Sequence, residues 1–292
     1  MGEVFGIDVS HHQGAIDWKK VAGAGIKFVI MKCQYESASH RIDERFEANY
    51  LGAGQNGIKR GVYIYIARAS IADIEGDANA LLRHLKGRPL EYGIWLDLED
   101  ASVAATGKGF IRDMSYRYAE IFKAAGYYVG IYSNKDWYTR LIHDDLKRDF
   151  DFWFARYPRN DVGQYNPTSA LRPSSNIAVA WQYSSKGHVD GIKGYVDLDV
   201  DYDGIIDLMA AEKPLKGNPY SEPISNIKKG MVGIGVMWVQ WQLNVYGYGL
   251  AVDGIFGKRT EEAVKDFQQQ HFLKADGIVG ILTRTMLIDS TK

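Results

Sequence analysis

Short apolar runs recur along the first two-thirds of the chain. VFGIDVS (residues 4–10), KFVIMKC (27–33), GVYIYIA (61–67), GIWLDLE (93–99), YVGIYS (128–133), FWFARY (152–157), IAVAWQY (177–183) and GYVDL (194–198) read as eight strands. Helical periods separate the early ones. Asp17 can cap a short helix over WKKVAGAG, a second helix covers residues 42–55, and strongly periodic helices fall at 72–85 and 109–125. The last three strands follow one another through loops alone. Strand–helix alternation predicts parallel βαβ units, and eight strands predict a TIM-like α/β barrel whose final portion is simplified. An open doubly wound sheet ranks second.

The pattern changes near residue 211. AEKPLKGNPYSEPIS has no apolar period and holds three prolines, a linker composition. This divides the chain into a barrel domain (1–210), a linker (211–226) and a small C-terminal domain (227–292). The tail contains an internal repeat, AVDGIFGKRT (251–260) and KADGIVGILT (274–283). Each copy is an Asp-Gly turn followed by a Thr suited to capping a helix. Between them TEEAVKDFQQQHFL carries a helical stripe of Ala263, Val264, Phe267 and Phe272, and VMWVQWQLNVYGYG forms a helix upstream.

Composition narrows the function classes. The 292 residues are 46% hydrophobic and 24% charged with a formal net charge of −1, so no global field draws the chain to nucleic acid or anionic lipid. The single cysteine, Cys33, sits in an apolar run and is expected to be a small core residue. No segment is long and apolar enough to span a membrane, and MGEVFGIDVS lacks the form of a secretory signal. Synthesis in the cytoplasm with later release is the expectation. GAGQNG (52–57) fits a dinucleotide-loop spelling but ends a helix and precedes a strand, so its glycines read as C-capping. His11-His12 lacks a second ligand set for a metal and reads as a loop at a site rim, with His11 placed to touch substrate.

In parallel α/β barrels, sites form at the C-terminal ends of strands. Acids interrupt the predicted strands there: Asp8 in GIDVS, Asp97 and Glu99 in WLDLED, and Asp197 in GYVDLD. Residues two apart on a strand project from one face, which pairs Asp97 with Glu99. Like charges held together cannot all ionise cheaply, so one carboxyl retains a proton beside ionised neighbours. That is equipment for cleaving a glycosidic bond. Taken singly, each acid reads more readily as capping the next helix or turn. Asp97-Leu98-Glu99 after the apolar GIWL is harder to dismiss, because desolvating two acids together costs stability without a purpose.

GIDVSHHQG, WLDLED, FWFARY and WQYSSKGHVDGIKGYVDLD resemble, in order and spacing, the glycoside hydrolase family 25 lysozymes. The resemblance spans residues 2–210 and implies a barrel of eight strands and about five helices acting as a retaining N-acetylmuramidase. It implies Glu99 as general acid/base and Asp97 as the group that orients the substrate's 2-acetamido group or stabilises developing charge. Asp8 and Asp197 complete the acidic pocket. Tyr63, Tyr65, Tyr132, Trp153, Tyr157, Trp181 and Tyr183 lie on strands near the same mouth as candidate sugar-stacking rings, and Gln182 as a hydrogen-bonding group. Glu36, in the turn after the second strand, departs from the family pattern. The tail frame Gln-x-x-Leu, Asp-Gly-x-x-Gly, Ala-Val-x-x-Phe-Gln resembles the three-helix peptidoglycan-binding domain that accompanies wall hydrolases. Together these imply bacterial peptidoglycan as partner, with no metal, cofactor, nucleic acid or membrane, and leave the oligomeric state open. A phage or prophage endolysin released through holin-made lesions is the expected setting. A bacterial autolysin and a non-catalytic wall-binding protein on a degenerate barrel are the alternatives.

YVDLDVDYDG (195–204) places four aspartates at alternate positions. A calcium loop opening at Asp199 needs an acid at its twelfth position, which is Ala210. Four ionised acids on one strand face would repel. The ladder is therefore expected to divide, with Asp197 at the cleft, Asp199 as its substitute if the register slips by two, and Asp201 and Asp203 in the turn that starts a final helix.

Overall fold

A computed structural model describes residues 2–35, 40–67, 71–85, 88–206, 218, 220, 222–223 and 225–289. Glu36 and most of the expected linker lie outside the described residues. The chain forms two compact units, Met1–Pro214 and Leu215–Lys292.

In the first unit β1 (Val4–Val9), β2 (Phe28–Tyr35), β3 (Lys59–Tyr65), β4 (Ile94–Asp97), β5 (Val129–Asn134), β6 (Phe152–Ala155), β7 (Ala180–Gly187) and β8 (Val196–Asp201) close into one barrel in sequence order. Strands β1 to β7 pair in parallel, and β8 runs antiparallel to both β7 and β1. Among the described residues of this unit, seven α-helices accompany the strands: α1 (Trp18–Gly23), α2 (Phe46–Gln55), α3 (Ile71–Leu85), α4 (Ala101–Ala104), α5 (Lys108–Ala124), α6 (Lys135–Arg140) and α7 (Asp144–Asp149). Only α2, α3 and α5 reach ten residues, and no helix lies between β6, β7 and β8.

Local chemistry explains the boundaries. Asp17 caps α1 by accepting the Lys20 N–H, and Asn134 caps α6 through the Trp137 N–H. The helix expected from residue 42 begins only at Phe46. Asp43 is held away by accepting the His11 and Arg45 N–H groups, and Ile42 bridges to Gln34. The GAGQNG run does end a helix, with Gly57 in the left-handed region at φ 72°. Cys33 is a buried free thiol.

Large rings fill the barrel, and small residues opposite admit them. A Cβ on Gly6 would stand 2.3 Å from the Phe28 ring, and one on Gly130 would stand 2.3 Å from the Trp95 ring. Phe28 stacks on Tyr92 with centroids 4.3 Å apart, and Trp153 packs between Trp95 and Tyr132. Such small-against-large pairing is how a narrow barrel fills to interior density.

The aspartate ladder folds otherwise than expected. Asp197, Asp199 and Asp201 all belong to one continuous strand, β8, and only Asp203 lies in the following turn, at φ 62°. Because a short loop joins β7 to β8, the two strands are antiparallel, and β8 starts at the mouth rather than ending there. Asp197 therefore opens its strand and pairs with Asp8 across the β1–β8 ladder. Asp199 and Asp201 continue downward, both fully buried, so they belong to no calcium loop. Repulsion is met by donors within the barrel: Trp153 Nε1 to Asp199 Oδ1 (2.8 Å) and Tyr92 Oη to Asp201 Oδ2 (3.0 Å).

The second unit holds α8 (Ile234–Val245), α9 (Lys258–Gln270) and α10 (Ile281–Asp289) around Trp238, Val239, Leu243, Phe256, Val264, Phe267, Val279 and Leu287. Each Asp-Gly turn is clamped by a buried glutamine from the helix before it. Gln240 Nε2 reaches Asp253 Oδ1 (2.8 Å), the Ile255 carbonyl (3.2 Å) and Thr260 Oγ1 (3.2 Å), while its Oε1 accepts the Gly254 N–H (2.9 Å). Gln268 repeats this on Asp276 (3.1 Å), Ile278 (2.9 Å), Thr283 (3.2 Å) and the Gly277 N–H (2.9 Å). The repeat threonines thus serve as acceptors for these amides, and Gly257 rather than Thr260 occupies the cap position of α9. Phe272 leaves the expected stripe: α9 ends at Gln270, and Phe272 follows at φ 57°, 99% exposed. Replacing Gln240 with Leu would strand several buried polar groups at once and should cost the tail about 3 kcal/mol of stability. Calorimetry should show the tail transition falling while the barrel transition stays in place.

Candidate active site

Alternation along each strand decides which side chains reach the barrel mouth. A cavity of about 200 Å³ is lined by Asp8 of β1, Tyr63 of β3, Asp97 of β4, Glu99 just beyond it, Tyr132 of β5, Trp153 of β6, Tyr157 beyond it, Gln182 of β7 and Asp197 of β8. All four predicted acids, four of the seven predicted rings and Gln182 therefore meet in one place. Three expectations do not. Trp181 and Tyr183 flank Gln182 and so point to the opposite face of β7, where they pack with Tyr165. Trp181 Nε1 donates there to the Arg156 carbonyl (2.7 Å). Tyr65 shares the face of Tyr63 but is not among the lining residues, its hydroxyl donating to Asp100 Oδ2 (2.9 Å).

The acids differ in setting. Asp8 and Asp97 are 7% and 5% exposed, whereas Glu99 is exposed at the mouth. Burial, then the charges of Asp197 and Asp199, push the Asp8 carboxyl well above the usual carboxylate range, against a hydrogen bond from Gln182 Nε2 to Asp8 Oδ2 (2.7 Å). Burial and the neighbouring Glu99 raise Asp97, whose buried Oδ1 has no hydrogen-bond partner. Partial burial also raises Glu99, with Lys32 opposing and Asp100 adding to the rise. Asp197 is pushed up to about 6 by burial and by the charges of Asp161 and Glu99. The result is a cluster that holds protons at pH values where isolated carboxyls have lost them.

Tyr132 Oη donates to Gln182 Oε1 (2.9 Å), which orients the amide so that its nitrogen faces Asp8. Trp153 and Tyr132, with centroids 4.5 Å apart, form an aromatic wall. Tyr157 is 41% exposed at the rim.

Lys32 does not line the cavity but borders its acids, which the pattern of acids did not reveal. It lies on β2 in register with Tyr63, and its Nζ stands 4.8 Å from the Tyr65 ring centroid and 5.8 Å from that of Tyr63. Burial lowers its pKa, while Asp97, Asp43 and Glu99 pull it back up. The available signal was a lysine inside the apolar run FVIMKC. Asp100, which caps α4 through the Ser102 N–H (2.8 Å), was likewise passed over although it adjoins Glu99. His11 lies outside the acid pocket. Its Nδ1 pairs with Asp43 Oδ2 (2.8 Å), and it lines a separate cavity of about 230 Å³ with Arg41, Ile42 and Glu44. Among the described residues no group of three or more His, Cys, Asp or Glu is arranged to hold a metal ion, and no helix is long and apolar enough to cross a membrane.

Two family models and several known proteins match this chain. The family model "Glycosyl hydrolases family 25" matches residues 7–192, and "Putative peptidoglycan binding domain" matches residues 233–287. The autolytic lysozyme of Clostridium acetobutylicum is 29% identical over 265 residues, covering 90% of this chain and 72% of that protein. Lysozyme M1 of Streptomyces globisporus is 32% identical over 209 residues, covering 66% of each. Among solved structures, the modular autolysin LytC of Streptococcus pneumoniae with a synthetic peptidoglycan ligand aligns at a TM-score of 0.58 and 26% identity. That alignment covers 68% of this chain and about half, 47%, of LytC. The bacterial lysozyme of Streptomyces coelicolor aligns at 0.53 and 26% identity, covering 72% of this chain and 98% of that one. With the family model running through well over half of its residues, the chain belongs to glycosyl hydrolase family 25.

Proposed function

We propose that this chain is a peptidoglycan hydrolase of the lysozyme type, cutting the β-1,4 bond between N-acetylmuramic acid and N-acetylglucosamine. The observation that carries this reading is the convergence of Asp8, Asp97, Glu99 and Asp197 with aromatic rings in a single mouth. Glu99, accessible and with a raised pKa, is suited to protonate the leaving glycosidic oxygen. Asp97 lies deeper and lines the same cavity, where its carboxyl is suited to accept the N–H of a 2-acetamido group. Held that way, the acetamido oxygen can attack the anomeric carbon from the face opposite the leaving group, so the reaction retains configuration with the substrate as its own nucleophile. Asp8 and Asp197 add negative potential as positive charge develops on the sugar. Tyr63, Tyr132, Trp153 and Tyr157 supply apolar faces for the rings, with Gln182 as a polar contact.

The C-terminal unit, by its family match, anchors the enzyme to the wall. A cutting domain joined to an anchoring domain fits a phage or prophage endolysin that is made in the host cytoplasm and reaches the wall through holin-made lesions. A bacterial autolysin is the second reading, favoured by the likeness to the clostridial autolytic lysozyme. A holin gene beside this one would separate the two.

Glu99→Gln should lower clearing of purified walls by at least about a hundredfold while the protein still sediments with them. Muropeptides released by the wild type should carry N-acetylmuramic acid at the new reducing end, and undiminished lysis by the variant would defeat the assignment. Truncation after Pro214 should leave a folded barrel that is retained less by walls. Asp197 also implies a stability signature. Its carboxyl binds a proton more tightly in the fold than in the unfolded chain, so its contribution is fully present below its ordinary value of 3.8 and is lost as pH rises through about 6. Asp197→Asn has no proton to lose and should gain about 2 kcal/mol over the wild type between pH 4 and pH 7, measured by denaturant unfolding, while activity falls.

A further inference from the structure

The segment that follows β6 carries Tyr157 to the rim of the mouth, and no helix lies between β6 and β7 to hold it. Residues 157–160 are exposed, so burial does not fix them. Two anchors on β7 bracket them instead. At the near end the Arg156 N–H donates to the Gln182 carbonyl (3.1 Å), and Trp181 Nε1 donates to the Arg156 carbonyl (2.7 Å). At the far end the Asp161 carboxyl gathers donors on both oxygens. Its Oδ1 accepts Ser184 Oγ–H (2.6 Å) and the Gly163 N–H (3.1 Å). Its Oδ2 accepts the Ser185 N–H (2.7 Å) and Ser185 Oγ–H (3.2 Å). Gly163 sits at φ 74°, and a Cβ there would stand 2.8 Å from the Lys186 carbonyl oxygen, so the loop closes directly on β7. Between the anchors, Pro158 disfavours helical backbone at Tyr157.

We propose that Asp161 is a positioning residue for Tyr157: its carboxyl fastens the far end of the span 157–160 to β7 and so holds the Tyr157 ring at the rim of the mouth. Asp161 is not among the residues that line the cavity and acts through that ring. The arrangement suits a carboxylate. Every partner donates, and the N–H groups of Gly163 and Ser185 cannot turn round to accept. An amide of equal shape would therefore satisfy one oxygen's partners and oppose the other's. Burial resists ionisation of Asp161, but the donors of Ser184, Gly163 and Ser185 outweigh it and hold the carboxyl below its usual range. The anchor is thus charged at pH values where the acids of the mouth still hold protons. Trp181, turned away from the cavity, gains a part in the same scheme, because its indole N–H secures the residue before Tyr157.

The kinetic test rests on the lysozyme reading, and the spectroscopic one does not. Asp161→Asn removes the charge and part of the clamp. Ser184→Ala removes the shortest of the bonds and keeps the charge, which, after burial, is what raises Asp197. By NMR, the Tyr157 ring signal should shift in both variants, and in Asp161→Asn the Gly163 and Ser185 amide hydrogens should exchange about tenfold faster. A Tyr157 signal unmoved in both folded variants would overturn the proposal whatever the protein hydrolyses. On solubilised glycan strands, Asp161→Asn should raise KM roughly fivefold, as loss of a ring contact made equally in ground and transition states requires. Ser184→Ala should raise KM in the same direction with kcat within about twofold of wild type. Tyr157→Ala should match Asp161→Asn in KM, and the double variant should be no worse than Tyr157→Ala alone, because both changes remove one contact. Losses that multiply in the double variant, or a folded Asp161→Asn enzyme with wild-type KM, would overturn the proposal. Should Asp161→Asn fail to fold, the ring signal and KM of Ser184→Ala decide, and unmoved values there would overturn it. Absence of cleavage by the wild type would defeat the lysozyme reading and leave the ring signal and amide exchange to decide the anchor.

Discussion

The hydrogen bond from Trp153 Nε1 to Asp199 joins the two demands this barrel must meet together. A closed eight-stranded barrel must fill its own interior, and the rings of Phe28, Tyr92, Trp95, Tyr132 and Trp153 do most of that. The same interior must hold acids near the mouth that water cannot fully solvate. Indole and phenol groups answer both needs, because the body of the ring packs while its polar edge donates. Trp153 serves Asp199, Tyr92 serves Asp201, and Tyr132 reaches Asp8 through Gln182. An all-aliphatic filling of equal volume would close the barrel and leave the acids without donors.

This dependence explains why the fold was largely legible in the sequence and the interior chemistry less so. Strand existence follows from apolar runs such as GIWL and FWFA, and alternation places Asp97 and Glu99 on one face without three-dimensional knowledge. The direction of β8 is a different matter. A run such as VDLDVD has the same period in either direction, and only the short connection from β7 implies that it turns back. Reading it as parallel put Asp197 at a strand end and pushed Asp201 into a turn. The structure keeps the mouth position of Asp197 but carries the remaining acids down into the core. Repulsion along one strand face seemed to forbid this, and it fails as an argument because Trp153 and Tyr92 donate to Asp199 and Asp201 inside the barrel. Trp181 and Tyr183 show the converse error. Aromatic type and proximity to a mouth suggested sugar contact, and the pleat sends them outward to Tyr165.

Lys32 was hidden for a related reason. Within an apolar strand a lone lysine reads as an edge or end position, and only closure of the barrel brings it beside Asp97 and Glu99. In the tail the doubled Asp-Gly turns were plain, and Gln240 and Gln268 stood in the frame that carries the resemblance, yet the frame does not say what they bind. Gln240 and Gln268 are each 1% exposed. Their burial becomes intelligible once each amide is seen to serve the polar groups of one turn, a role that spacing alone does not announce.

The two units thus handle buried polarity in opposite ways. The tail pairs its buried amides with turn donors and acceptors in two like networks, which is what a small domain with little core needs for a unique fold. The barrel leaves Asp97 Oδ1 without a partner and crowds Asp197 against Asp161 and Glu99. Unmet acceptors and elevated pKa values cost stability in the resting protein, and the rings and helices beneath must offset that cost. The imbalance has a direction. Asp97, Glu99 and Asp197 line one mouth, so their negative charge is gathered where a sugar developing positive charge would sit. A site that fully satisfied its own acids would be more stable and would have less to offer an oxocarbenium-like transition state.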